Sequence, residues 1–127
     1  MICIPIKPVE CQEALGMENG AISDGQISAS SEFNADHAAT QGRLHFQTSL
    51  NPGKTGSWSA RTKDANQWLQ VDLTGKDTKV TRVATQGRNG WEHNGGQWVT
   101  KYKLQYSDDG VNFQYYKEQG QTTDKVN

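Results

Sequence analysis

Residues 67–73, Gln-Trp-Leu-Gln-Val-Asp-Leu, set apolar Trp68, Leu69, Val71 and Leu73 among polar Gln67, Gln70 and Asp72. Alternation of this kind marks a half-buried strand, because successive side chains on a strand point to opposite faces of a sheet. Gln26-Ile-Ser-Ala-Ser30 alternates in the same way. Val80, Val83 and Ala84 mark a third strand, Val99, Tyr102, Leu104 and Tyr106 a fourth, and Val111, Phe113, Tyr115 and Tyr116 a fifth. No segment sustains a helical period of 3.6 residues. Turn chemistry separates the runs: Asn19-Gly20, Ser23-Asp24-Gly25 and Asn51-Pro52-Gly53, then Ser107-Asp-Asp-Gly110 as a hairpin connection with glycine placed for a positive φ. Short alternating strands with regular turns predict an all-β antiparallel sandwich or barrel.

A chain of 127 residues is one domain or most of one, long enough to build a core. Its 13 basic and 14 acidic residues give a formal charge of −1, spread along the chain, which excludes the basic stripe of a nucleic-acid binder. Hydrophobic residues are 33% and mean hydropathy is −0.84, as suits strands with one wet face. No run approaches the roughly 18 apolar residues of a membrane span. Residues 1–10 carry prolines at both ends of a short apolar stretch and no basic n-region; they read as a linker or leader, not a signal peptide. Cys3 and Cys11 are too few for a zinc spacing.

Several ordered blocks carry a family resemblance. They are Leu15-Gly-Met-Glu-Asn-Gly20, Gln26–Ser30, Gln41-Gly-Arg-Leu44, Trp58-Ser-Ala60, Gln67–Leu73, Thr85-Gln-Gly87 and Trp98-Val-Thr-Lys-Tyr-Lys-Leu-Gln-Tyr-Ser107. From Cys11 onward the chain resembles the discoidin domain, also called the coagulation factor five/eight type C domain. The resemblance implies a galactose-binding-like fold, a distorted jelly-roll β-sandwich or barrel over residues 11–127. It further implies that Cys11 is bridged to a cysteine beyond this chain and that the domain's last strands are missing here. Trp58, Trp68 and Trp98 are assigned to the core, and a buried ion pair is expected among Arg43, Asp72 and Arg82, its partners left open.

In this family, loops at one end of the barrel project as spikes and carry binding. The corresponding segments are Glu32–Gln41, 47–56 and 88–96. The candidate ligand-binding residues are Phe33, Asn34, Asp36 and His37 on the first, Leu50 and Lys54 on the second, and Arg88, Trp91, Glu92 and His93 on the third. Trp91 stands among glycines near a loop tip. It reads either as an indole folded onto the barrel rim or as an exposed anchor for a sugar face, a partner's apolar patch or a bilayer interface. Phe33 likewise reads as a plug or a contact. Members that capture a basic peptide terminus use an aromatic pair and an acid; the matching positions hold Phe33, His37 and Lys63, so that activity is not expected here.

For metals, no 12-residue calcium loop is present and no cofactor is expected; the one calcium reading places the ion at Asp24. His37, His45 and His93 stand in no motif that pairs them with a nucleophile, so no enzyme is expected. The functional expectation is an extracellular, non-catalytic adhesion module within a larger multidomain protein, taking a glycan or a cell-surface or matrix protein. The alternative is peripheral binding to anionic phospholipid through Trp91, Leu50, Lys54 and Arg88.

Overall fold

A computed structural model describes residues 13–46, 54–75, 77–88 and 96–117. The chain divides into two compact units, one ending at Gln97 and the other beginning at Trp98.

In the first unit, strand β1 (Ile27–Ala29) pairs antiparallel with β2 (Leu69–Val71), Ile27 facing Val71 and Ala29 facing Leu69. Backbone bonds carry the same register outward at both ends, from Asp72 N–H to Gln26 O (2.7 Å) and from Ser30 N–H to Trp68 O (3.0 Å). Side chains fix that register. Gln26 accepts from Ser23 N–H (2.9 Å) and donates Nε2 to Asp72 O (2.8 Å), joining a turn to the opposite strand. At the other end Gln67 Oε1 accepts from the hydroxyls of Ser30 (2.8 Å) and Ser31 (2.6 Å).

Parity then decides which residues are buried. Ile27 and Val71 lie on one face and join Ile22 and Ala39, with Leu15, Met17, Ala29, Trp58 and Leu73 packed around them. Trp68 has the opposite parity, with Gln70 and Asp72, and is 49% exposed. The core assignment of Trp68 is therefore corrected: it lies opposite in parity to Val71 and Leu73, the residues of this run that pack on the core, and even Leu69 of their parity is exposed.

The buried pair expected among Arg43, Asp72 and Arg82 is corrected: Arg43 pairs instead with Asp24, from the turn before β1. Arg43 Nη2 donates to Asp24 Oδ1 (2.6 Å) and Nη1 to Met17 O (3.0 Å). Asp72 is occupied elsewhere, its Oδ1 accepting from Thr74 N–H at 2.8 Å. Burial is one-sided: the Arg43 side chain is buried and that of Asp24 largely exposed. Gly16 completes this corner, since its φ of +112° and a virtual Cβ only 2.4 Å from Ala21 Cβ leave room for no side chain.

Residues 80–85, expected as a strand, have no strand pairing. Their segment is tied instead by Gln86 Oε1, which accepts from His45 N–H (2.8 Å).

In the second unit, β3 (Gln105–Tyr106) pairs antiparallel with β4 (Gln114–Tyr115), and Tyr116 N–H to Leu104 O (2.8 Å) continues the register. The connection turns on Gly110, at φ +72° as its position predicted. Asp109 organises the turn. Its Oδ1 accepts from the N–H groups of Val111 (2.8 Å) and Asn112 (2.7 Å), and its Oδ2 from Asn112 Nδ2 (2.6 Å). These donors hold the Asp109 carboxyl far below the ordinary carboxylate range. Lys103 Nζ lies 4.9 Å from the centre of the Tyr115 ring. Trp98, also expected in the core, is 67% exposed: it belongs to no strand, so no sheet face buries it.

Among the described residues the sheets are two separate pairs of strands and no barrel closes. Residues 1–10 and Cys11, with its expected disulfide, lie outside the described residues.

Candidate spike-loop binding site

The first expected spike is built by its own side chains. Asn34 is extended and caps a 3-10 turn over Ala35–His37; its Oδ1 accepts from Asp36 N–H at 3.0 Å. The same oxygen lies 2.7 Å from His37 Nδ1. Glu32 reaches forward to cap the next turn, Ala39–Gly42, accepting from Ala39 N–H at 2.8 Å. Phe33 projects outward, 59% exposed, with its ring edge-on to His37 at 5.3 Å and 82°.

A neighbouring segment clamps this loop from outside. Phe33 N–H donates to Ser59 O (2.8 Å) and Ser59 N–H to His37 O (3.2 Å). Trp58 Nε1 donates to Ser31 O (2.9 Å), so this indole is a structural brace, half-buried against the core. Thr55, which the sequence reading passed over, is buried and doubly joined to the first spike. Its N–H (3.2 Å) and its hydroxyl (2.7 Å) both reach Asp36 O. The described end of the second spike is thus fastened to the first. Its signal in the sequence was faint: a threonine beside the turn-forming Gly56 reads as loop polarity.

The third spike enters through Arg88. Its N–H donates to Gln97 O (2.8 Å) and its Nη1 to Gln97 Oε1 (3.2 Å), closing the base of the loop. The Arg88 charge acts on the first spike, because it opposes protonation of His37. Burial is the larger cause lowering the His37 pKa, Arg88 adds to it, and Asp36 works in the other direction.

Of the expected site residues, Phe33, Asn34, Asp36 and His37 form one hydrogen-bonded loop within reach of the Arg88 charge. Lys54 is exposed beside Thr55. Leu50, Trp91, Glu92 and His93 lie outside the described residues. One polar atom at the base of each spike is buried with no described partner: Gln41 Oε1, Ser57 Oγ and Arg88 Nε.

Asp24 Oδ1 is committed to Arg43, which competes with the calcium reading at that position. Among the described residues no three His, Cys, Asp or Glu side chains gather where they could hold a metal ion. No helix among them is long and apolar enough to cross a membrane.

Known proteins resemble the chain over nearly its whole length. The F5/8 type C domain profile matches residues 26–127. Lactadherin of Rattus norvegicus is 43% identical over 117 residues, covering 91% of this chain and 26% of its own. EGF-like repeat and discoidin I-like domain-containing protein 3 of Homo sapiens is 43% identical over 122 residues, 91% of this chain and 24% of its own. Coagulation factor V of Sus scrofa is 37% identical over 120 residues, 91% of this chain and 5% of its own. The chain therefore spans about a quarter or less of the length of these relatives. With its profile match and these identities, the chain belongs to the F5/8 type C, or discoidin, domain family.

Proposed function

We propose that the chain is an extracellular, non-catalytic recognition module of a larger adhesion protein, taking a carbohydrate or a cell-surface or matrix ligand on its spike loops. Family membership supports the class, since discoidin domains are in general non-catalytic binding modules. The observation that carries the reading is the fastening of Thr55 to Asp36 beside an outward Phe33. It gives a rigid base and an exposed aromatic, as a shallow recognition site requires. Trp91, Glu92 and His93 complete the proposed site from the third spike, Leu50 and Lys54 from the second, and no cofactor takes part.

The test is retention of the full chain on a glycan and matrix-protein array. Trp91→Ala should abolish retention while leaving near-UV circular dichroism unchanged; equal retention by both proteins refutes the spike-loop site.

A second reading, peripheral binding to anionic phospholipid, is favoured by the exposed Phe33 and by the cations Lys54 and Arg88 on these loops. It requires co-sedimentation with phosphatidylserine vesicles that weakens as salt rises and is indifferent to sugar. Equal sedimentation with neutral vesicles eliminates it.

A further inference from the structure

The hydrogen bonds around Asn34 determine which proton His37 carries. Asp36 N–H can only donate, so the Asn34 atom it meets must be the amide oxygen, not the nitrogen. That same oxygen is 2.7 Å from His37 Nδ1, and an oxygen acceptor there requires a hydrogen on Nδ1. In the neutral ring, Nε2 is then the bare nitrogen, an acceptor. Among the described residues no hydrogen-bond partner reaches it, and the His37 side chain is only half-buried. Edge-on to the imidazole stands the exposed Phe33 ring, 5.3 Å between centroids.

This combination suits one kind of ligand group. A bare imidazole nitrogen accepts from a hydroxyl and repels an anion's lone pairs. An exposed aromatic face packs against the apolar C–H face of a sugar ring. Two charged groups act on the imidazole: Asp36, from the same turn, and Arg88, from the third spike. Burial and Arg88 outweigh Asp36, which keeps the ring in its accepting form at neutral pH.

Resting on the carbohydrate reading above, we propose that His37, oriented by Asn34 beside Phe33, is a specificity-determining acceptor that selects a neutral pyranose hydroxyl over an anionic group. Recognition is consequently lost on acidification, when Nε2 gains a proton and becomes a donor. An unshifted imidazole sets the limit of the loss at about twenty-fivefold between neutral pH and about pH 5; the lowered pKa makes the loss smaller and moves it to lower pH.

Imidazole nitrogen NMR on the full chain tests each step, with methyl galactoside, methyl mannoside and inorganic phosphate as probes. The expected result is the Nδ1–H tautomer near neutral pH, with one of the sugars shifting His37 Nε2 and the Phe33 ring, and affinity falling on acidification. Asn34→Asp retains the cap and the acceptor but adds a negative charge, so it should move the acid limb to higher pH. A merely structural role for Asn34 would leave the limb in place. The Nε2–H tautomer, a preference for phosphate, or tighter sugar binding at low pH overturns the inference. So does an unresponsive His37. Sugar shifts confined to other residues of the spike loops overturn it while leaving the spike-loop function standing.

Discussion

Thr55→Val tests whether the first two spikes are held together as described. Valine keeps the shape and removes the hydroxyl, which lies 2.7 Å from Asp36 O and 3.1 Å from Ser57 O. One hydroxyl carries one proton, so it donates to one of these carbonyls at a time. Asp36 O also keeps its bond from Thr55 N–H, so it is not orphaned by the change. The cost is then that of one hydrogen bond, about 1 kcal/mol, and not the larger penalty of a stranded buried carbonyl. Urea unfolding followed by tryptophan fluorescence should show a loss of that size with an unchanged slope. Amide exchange of residues 35–38 should accelerate about fivefold, the equivalent of the same energy. Ligand affinity should fall with it, and Thr55→Ser should restore all three. Unchanged exchange would refute the fastening, and a loss above about 3 kcal/mol would show that the hydroxyl supports far more than this loop.

Gly16→Ala should cost at least about 2 kcal/mol, adding left-handed strain to a collision with Ala21, read as a drop in urea midpoint. Asp24→Ala should cost about 1 kcal/mol, a modest figure because the carboxylate is largely exposed even though Arg43 is buried. Asp64, Asp72 and Asp109 are all lowered from 3.8 by hydrogen bonds, so their contribution is complete above that pH and is lost as pH falls through the folded values; unfolding midpoints followed downward from about pH 4 check this. His37 has the opposite protonation chemistry but the same sign: its lowered pKa makes protonation favour the unfolded chain, so stability declines as pH drops below 6.5. EDTA should leave ligand retention unchanged, which dialysis before the array measures.

The paired strands at 26–30 and 67–73 were legible because their alternation is local, and their hydrogen bonds span the expected residues. Gly110 was legible for a similar reason, since positive φ in a turn selects glycine directly. Parity defeated the reading at Trp68: a tryptophan inside an apolar run looks like core until the strand's partner fixes which positions face inward. Arg43 was singled out, but its partner came from a turn 19 residues earlier, a distance no local pattern encodes. The spike contacts divide likewise. Asn34 was singled out for binding and not as the cap it forms, although an asparagine two residues before the turn amide it binds is a local signal. The Thr55–Asp36 and Ser59–His37 bonds join separate loops and become visible only when the chain is folded.

Backbone amide chemical-shift mapping, with the ligand the array retains best, addresses the central claim most directly. Perturbations should gather on residues 32–41, 54–57 and 88, the loops tied through Asp36, Thr55 and the Arg88 charge. Perturbations centred instead on Tyr106, Tyr115 and Tyr116 of the β3–β4 hairpin would place recognition elsewhere and contradict the account.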